Sequence, residues 1–204
     1  TQRTAYNKSL KQFISSKSND QLRNFNSLKQ ICDIDPLSLK STKIDFILEL
    51  VEKIVTRDEK CVIFSFWLLP LEELKNVFNR SFNLNFSEFF HGGLDKEQRE
   101  NALSNFKNKK DCTVLLCSGK IGGEGINLTE ANHVIFFNEW WNPSNNLQAR
   151  DRVIRIGQSK KSYIHHLRTM NTIEQRIDII LKSKNEINND VIQKMVEKLK
   201  KEII

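Results

Sequence analysis

Two arginines three positions apart, Arg152 and Arg155, are the side chains in this sequence best suited to chemistry on a phosphate group. They lie in the run Gln-Ala-Arg-Asp-Arg-Val-Ile-Arg-Ile-Gly-Gln at residues 148–158. If the run is helical, positions i and i+3 share a face, so both guanidinium groups can reach one target. A guanidinium is planar and permanently charged, and it donates paired hydrogen bonds to phosphate oxygens. The competing interpretation is a solvated helix whose arginines form ion pairs with Asp151.

A glycine-rich segment precedes this run in the sequence. Gly122, Gly123 and Gly125 follow an apolar run that predicts a strand at 112–118. Glycines permit backbone turns that a Cβ would hinder, and they allow exposed N–H groups to approach an anion. Taken alone, the segment is weak evidence for an anion site, and a plain tight turn is the favoured interpretation.

Strands alternate with helices downstream of residue 60. Because the apolar runs of the strands are continuous, we predict an α/β fold with a parallel sheet covered by helices on both faces. In such sheets ligands bind at the carboxyl ends of the strands, where each candidate motif falls. The predicted strands are 61–66, 86–91, 112–118, 133–138 and 162–168; the predicted helices are 4–15, 21–31, 41–55, 70–80, 95–107, 145–153 and a helical tail over 172–204.

Three motifs occur in a fixed order in the second half of the chain. They are Gly-Gly-x-Gly-Ile-Asn-Leu-Thr at 122–129, Trp-Trp-Asn-Pro at 140–143 and Gln-Ala-x-Asp-Arg-x-x-Arg-Ile-Gly-Gln at 148–158. This combination resembles the Swi/Snf-type, helicase-like ATPases of superfamily two, and specifically their second RecA-like lobe, the helicase C-terminal domain. The resemblance covers residues 20–185, most of the chain.

The resemblance implies a domain organisation. A RecA-like lobe is expected at residues 41–170, with a parallel sheet and helices on both faces. A helical extension or linker is expected at 1–40, and a second helical extension at 171–204.

The resemblance also assigns a catalytic role to the arginine pair. Arg152 and Arg155 correspond to arginine fingers, which reach the γ-phosphate of ATP held by the other lobe of the motor. Preorganised guanidinium groups stabilise the charge that builds up on phosphoryl oxygens in the transition state. Ile154 stands where the family commonly has His or Tyr. The residues expected at the nucleotide are Gln148, Gly122, Gly123, Gly125 and Asn127.

Five residues match positions where members of this family contact the DNA backbone. They follow predicted strands or lie in glycine-containing loops: Ser118, Lys120, Ser65, Gly92 and Gly93. Trp140 and Trp141 have two possible roles, either stacking on bases or packing the loop after the strand at 133–138. Duplex DNA offers no bare bases, which favours packing.

The parts that bind the phosphates of ATP and Mg²⁺ in such motors do not occur in this sequence. There is no Gly-x-x-x-x-Gly-Lys-Ser/Thr loop and no Asp-Glu-x-His box. We therefore expect ATP and Mg²⁺ to be bound mainly by an amino-terminal lobe outside this sequence, and the isolated chain to be inactive. The chain is then a fragment of a longer protein or half of a motor whose other lobe is a separate polypeptide.

The composition fits one soluble domain with an anionic partner. The chain has 204 residues, a formal net charge of +7 and 39% hydrophobic residues, enough for one sizeable core but not two lobes. Its four cysteines and four histidines show no metal-ligand spacing, so we predict no metal site and reduced thiols. No stretch resembles a membrane span or a signal peptide. We expect an intracellular protein, nuclear in a eukaryote and otherwise cytoplasmic.

These observations predict the carboxy-terminal motor lobe of a DNA-dependent ATPase that translocates on duplex DNA. The expected partners are double-stranded DNA and the amino-terminal RecA-like lobe, with nucleosomes or transcription proteins as further candidates. The family's roles include chromatin remodelling, protein displacement, transcription and repair. Two alternatives remain: a strand-separating superfamily-two helicase acting on DNA or RNA, and a catalytically decayed scaffold that binds nucleic acid.

Overall fold

The computed structural model describes residues 1–118, 126–140, 143–182 and residue 196. Within these residues the chain forms seven helices and five strands. The helices are α1 (Gln2–Ser15), α2 (Ser18–Asp33), α3 (Thr42–Val55), α4 (Leu68–Ser81), α5 (Lys96–Asn108), α6 (Pro143–Val153) and α7 (Ile173–Lys182). The strands are β1 (Cys61–Ser65), β2 (Ser87–Phe90), β3 (Val114–Ser118), β4 (His133–Phe136) and β5 (Tyr163–His166).

The five strands form one parallel sheet in the order β2-β3-β1-β4-β5. All residues of β1, the central strand, are buried. This is the environment that a continuous apolar run such as Cys-Val-Ile-Phe requires. The α/β fold with a parallel RecA-like sheet, predicted from the sequence, is therefore confirmed.

The predicted elements are all present where the structure describes them, with shifted ends. The strands are shorter than predicted: β1 and β4 end earlier, β3 begins two residues later, and β2 and β5 are shorter at both ends. Helix α2 begins at Ser18, earlier than the predicted start at residue 21, so only Ser16 and Lys17 separate α1 from α2. Asp20 lies in the first turn of α2, where a carboxylate interacts favourably with the helix dipole. Of the predicted helical tail, residues 183–195 and 197–204 lie outside the described residues.

The chain divides into two compact units. One comprises residues 44–140 and 144–167 and contains the sheet; the other comprises residues 1–43, 141–143 and 168–204. The sequence predicts two separate helical extensions, whereas residues from both belong to the second unit. The two segments share an apolar core, which a sequence pattern within either segment alone does not indicate. This core consists of Tyr6, Phe13, Phe25, Leu28, Cys32, Ile173, Ile177 and Val196.

In the sheet-containing unit, aromatic rings fill the core at the carboxyl end of the sheet. The Phe64 and Phe136 rings stack with centroids 5.6 Å apart, and the Trp140 ring lies 6.2 Å from Phe64. Helix α3 contributes an apolar stripe at helical spacing, with Ile47, Val51 and Ile54 buried. This core fixes the ends of the central strands and therefore the loops that leave them.

The second unit, which comprises residues 1–43, 141–143 and 168–204, contains a buried group of charged side chains. The Lys43 Nζ lies 2.7 Å from Asp33 Oδ1 and 2.7 Å from Glu174 Oε1, and all three side chains are buried. Glu174 Oε2 also accepts a hydrogen bond from the Thr169 N–H. Burial raises the pKa of Asp33 to about 6, although Lys43 opposes that shift. The ion pairs thus tie α7 to the end of α2 and the start of α3.

We predict that Lys43→Met destabilises the fold by about 3–5 kcal/mol, because it leaves buried carboxylates without their closest counter-charge. Since the Asp33 pKa is raised on folding, protonation favours the folded state, and stability falls as pH rises through about 6. Lys43→Met removes the main charge that opposes this shift, so the pKa of Asp33 rises further in the variant. The penalty of Lys43→Met should therefore be larger at pH 8, where Asp33 must be ionised without its counter-charge, than at pH 5. Chemical denaturation at both pH values measures it.

Arg80→Met provides the matched control. Arg80 forms an exposed ion pair with Glu73, with its nitrogen 3.0 Å from the carboxylate oxygen. Such surface pairs contribute about 0–1 kcal/mol. Equal destabilisation by the two variants would contradict the structural role assigned to the buried group.

Candidate functional site

The carboxyl ends of the strands meet at one edge of the sheet. In the register of the sheet Ser65 of β1 lies opposite Ser118 of β3, and Phe64 lies opposite Phe136 of β4. The loops after β1, β2, β3 and β4 consequently leave from the same edge. This places Ser65, Ser118 and the loop with Gly92 and Gly93, which are distant in the sequence, at the same edge.

Helix α6, which carries the first of the two arginines, is tied to the loop after β4. Asn146 Oδ1 accepts a hydrogen bond from the Trp140 N–H at 3.0 Å, and its Nδ2 donates to the Trp140 carbonyl at 3.1 Å. Trp140 is itself 4% exposed and packs on Phe64 and Phe136. The packing interpretation of Trp140 therefore holds, while Trp141 lies outside the described residues.

The two arginines do not share a continuous helix. Arg152 is half-buried on the last turn of α6, which ends at Val153, and Arg155 is exposed in the turn that follows. The helical i and i+3 geometry expected for the pair is thus wrong for Arg155. The Gln158 N–H donates to the Arg155 carbonyl at 3.0 Å, and Gly157 has φ 105°. This is a tight turn with glycine at its third position, a conformation strained for other residues.

The arginine segment lies beside the loop that leads from the glycine-rich segment into β4. The Leu128 N–H donates to the Arg152 carbonyl at 2.9 Å. The Gln158 Nε2 donates to the carbonyls of Thr129 at 3.1 Å and Ala131 at 2.7 Å. Two motifs separated in the sequence are therefore joined by main-chain and side-chain hydrogen bonds.

Asp151 forms its ion pair with the neighbouring arginine, Arg150. The Arg150 guanidinium contacts Asp151 Oδ1 at 2.7 and 2.9 Å. Among the described residues, no carboxylate forms an ion pair with Arg155. Its positive charge is exposed beyond the end of α6, so it can stabilise an anion brought to this turn.

The turn that carries Arg155 lies at the amino edge of the sheet. Gln158 bonds to Ala131 just before β4 begins, and Lys160 bonds to Asp58 just before β1 begins. The expectation that each candidate motif falls at the carboxyl ends of the strands is therefore wrong for this end of the 148–158 motif.

The other residues predicted to lie at the nucleotide fall into two groups. Gln148 is exposed on α6, and Asn127 is exposed at the start of the 127–131 loop, where its Oδ1 accepts from the Thr129 N–H at 3.3 Å. The adjacent Ile126 and Leu128 are buried and anchor that loop in the core. Gly122, Gly123 and Gly125 lie outside the described residues.

The residues predicted to contact DNA also differ in their surroundings. Ser118 is half-buried at the end of β3, and Lys120 lies outside the described residues. Gly92 and Gly93 are exposed after β2, where the Gly93 N–H donates to His91 Nδ1 at 3.1 Å. The loop ends at Asp95, whose side chain caps α5 in a reciprocal pair with Gln98. The Gly92–Gly93 backbone is thus presented to solvent by a well-anchored loop.

The prediction for Ser65 needs correction. Its side chain is fully buried, and its Oγ donates to the Trp67 carbonyl at 2.8 Å and accepts from the Asn138 Nδ2 at 3.0 Å. A buried hydroxyl with these partners offers no surface to a phosphate. Ser65 instead helps to hold the loop that follows β1.

Sequence reasoning missed three amide side chains that position the site. Asn138 links the ends of β1 and β4, since its Oδ1 also accepts from the Phe66 N–H at 2.7 Å. Asn146 ties α6 to the loop after β4, and Gln158 ties the arginine turn to the 127–131 loop. Only the position of Asn138 directly after an apolar strand could have indicated its role. The partners of the other two are backbone groups, which no side-chain pattern identifies.

Among the described residues, no cluster of three His, Cys, Asp or Glu side chains could hold a metal ion. None of the helices in the same residues combines the length and apolar character needed to cross a bilayer.

Comparison with known proteins places this geometry in a family. The helicase conserved C-terminal domain family matches residues 42–157. YwqA of Bacillus subtilis, provisionally described as an ATP-dependent helicase/translocase, is 39% identical over 179 residues, which are 81% of this chain and 19% of that protein. The chain therefore spans about a fifth of the length of this relative.

Two solved structures from Sulfolobus solfataricus have the same fold. The SWI2/SNF2 ATPase core in complex with dsDNA has a TM-score of 0.80 and 30% identity, over 98% of this chain and 45% of that one. The SWI2/SNF2 ATPase C-terminal domain has a TM-score of 0.74 and 26% identity, over 93% of this chain and 83% of that one. The chain belongs to the helicase conserved C-terminal domain family and, within it, to the Swi2/Snf2 type.

Proposed function

We propose that this chain is the carboxy-terminal lobe of a DNA-dependent ATPase that translocates on duplex DNA. In this proposal Arg152 and Arg155 act as arginine fingers toward ATP bound on an amino-terminal lobe. The observation that carries the proposal is the location of Arg155. Its guanidinium is exposed beyond the end of α6, at the amino edge of the sheet, in a segment bonded to the loop that leads from the glycine-rich segment into β4.

The electrostatics of phosphoryl transfer explain why two arginines are needed there. Negative charge accumulates on the oxygens of the transferred group, and fixed guanidinium groups stabilise it without having to reorganise. The chain itself has no phosphate-binding loop, so the proposal assigns ATP and Mg²⁺ mainly to the other lobe. The residues of this chain proposed to face the nucleotide are Gln148, Gly122, Gly123, Gly125 and Asn127.

Duplex DNA is the proposed nucleic-acid partner. The chain carries a formal charge of +7, and the exposed Gly92–Gly93 backbone can approach phosphates closely. The S. solfataricus SWI2/SNF2 core with a similar lobe was solved in complex with dsDNA, which supports the assignment. Ser118 and Lys120 complete the proposed backbone contacts, and Ser65 acts behind them as a structural residue. Backbone contacts position a protein without reading sequence, so the proposed translocase has little sequence preference.

Wider roles follow from this activity as proposals. A translocase of this type can remodel chromatin, displace bound proteins or act in transcription and repair. Nucleosomes and transcription proteins are the partners that those roles require.

The proposed arginine fingers can be tested in a polypeptide that carries this chain together with its amino-terminal lobe. Arg155→Ala should lower the kcat of duplex-stimulated ATP hydrolysis by about 10³-fold or more, because it removes charge stabilisation in the transition state. Duplex affinity should change little. Steady-state kinetics and fluorescence anisotropy measure the two quantities.

Arg150→Ala is the matched control for Arg155→Ala. Arg150 lies in the same segment, on α6, but its guanidinium is paired with Asp151. Its kcat should stay close to that of the unmodified protein. If Arg155→Ala leaves duplex-stimulated hydrolysis intact, the finger assignment is wrong and a decayed, non-catalytic scaffold becomes the better interpretation.

The second prediction concerns Lys120, whose assignment depends on the sequence alone. Lys120→Ala should weaken binding to all duplex sequences alike and reduce the slope of log K against log salt concentration by about 1, the loss of one phosphate contact. Lys53→Ala removes an exposed lysine from α3 and should leave the slope unchanged. If the two variants show the same slope, Lys120 does not contact the DNA backbone.

The third prediction separates translocation from strand separation. Duplex DNA should stimulate ATP hydrolysis more than RNA or single-stranded DNA does, and a labelled strand should remain annealed during hydrolysis. A triplex-displacement assay would report translocation on the same substrate. Release of the labelled strand, or stronger stimulation by RNA, would favour the strand-separating helicase instead.

A further inference from the structure

We propose that Gln158 is a positioning residue that holds the arginine-bearing turn in its catalytic geometry. The inference depends on the proposed finger role of Arg155 and adds a residue to which no role has been assigned. It concerns only contacts within the sheet-containing unit.

The side chain of Gln158 uses nearly all of its hydrogen-bonding capacity inside the chain. Its Nε2 donates to the carbonyl oxygens of Thr129 at 3.1 Å and Ala131 at 2.7 Å. Its Oε1 accepts from the Lys160 N–H at 2.9 Å. A primary amide has two donors and an acceptor, so this set of partners fits glutamine specifically. A carboxylate of the same size would have no donor for the two carbonyls.

The same residue closes the turn that carries Arg155. The Gln158 N–H donates to the Arg155 carbonyl, and the positive φ of Gly157 permits the tight return of the chain. On the other side, the Arg152 carbonyl accepts from the Leu128 N–H at 2.9 Å. The arginine segment is therefore fixed to the 127–131 loop at a point before Arg155 and at a point after it.

The loop that receives these bonds is itself anchored in the core. Leu128 is 1% exposed and Ala131 is fully buried, and both belong to the main apolar core. Gln158 thus connects an exposed turn to the core of the domain. Without its side chain, the turn keeps its internal bond and the Arg152–Leu128 bond but loses its attachment on the side after Arg155, so Arg155 can move relative to the sheet. A displacement of about 1 Å at a reacting group can cost about 10²-fold in rate.

The experiment compares Gln158→Ala and Gln158→Glu in a polypeptide with both lobes. Both variants should lower kcat for duplex-stimulated ATP hydrolysis by about ten- to a hundredfold. The KM for ATP and the duplex affinity should change much less, because the affected interaction acts in the transition state. Hydrogen exchange at the Leu128 and Gln158 amides should become faster in both variants.

Asn105→Ala is the control for a general structural effect. Asn105 Nδ2 donates to Glu88 Oε1 at 2.7 Å and links α5 to β2, away from the arginine segment. It should leave kcat unchanged at temperatures where the protein is folded. An equal loss of kcat in Asn105→Ala and Gln158→Ala would show that Gln158 only contributes stability, and would overturn the proposal.

Arg155→Ala distinguishes the finger role of Arg155 from the positioning role of Gln158. Misplacement of a reacting group is expected to cost much more than about twofold in kcat. If Arg155→Ala abolishes hydrolysis while both Gln158 variants keep kcat within about twofold, the finger role is supported and the positioning role is refuted. If neither Arg155→Ala nor the Gln158 variants reduce kcat, the finger assignment and the positioning role are both refuted.

Discussion

The attachment of the arginine segment to the 127–131 loop is the constraint on which the site depends. A guanidinium can stabilise a transition state only if its position is fixed before the reaction, and Arg155 lies in an exposed turn beyond the end of a helix. The hydrogen bonds from Leu128 and Gln158 supply that fixation. They depend in turn on the parallel register of β1 and β4, which sets where the loop enters the sheet. Core packing and catalytic geometry are thus linked through a few main-chain contacts.

Polar side chains at the carboxyl edge of the sheet divide into two classes by burial. Asn138 and Ser65 are buried and bond to each other and to the loop after β1. Gly92 and Gly93 are exposed at this edge, and Arg155 is exposed at the amino edge beyond α6, so all three can meet an external anion. The buried amides and hydroxyl hold loops in place, and the exposed groups are available for nucleic acid or nucleotide. The family resemblance alone does not make this distinction, since it assigns Ser65 and Gly92 to the same DNA contact set.

Much of the fold could be predicted from the sequence because its signals are local. Continuous apolar runs indicate buried parallel strands, and the spacing of Ile47, Val51 and Ile54 indicates the amphipathic helix α3. The three motifs at 122–129, 140–143 and 148–158, in that order, indicate the family. What could not be predicted depends on contacts between distant segments. The shared core of Phe13, Phe25 and Ile173, and the bonds of Gln158 to backbone carbonyls, have no signature in any single stretch of sequence.

The position of Arg155 relative to a bound nucleotide is the decisive test of the arginine-finger role. The measurement is a structure of the two-lobed protein with duplex DNA and a transition-state analogue of ATP hydrolysis. The account predicts guanidinium nitrogens of Arg152 and Arg155 within about 2.7–2.9 Å of the oxygens of the analogue, with the Gln158 bonds intact. A structure in which both guanidinium groups point away from the nucleotide, toward solvent or their own sheet, would contradict it.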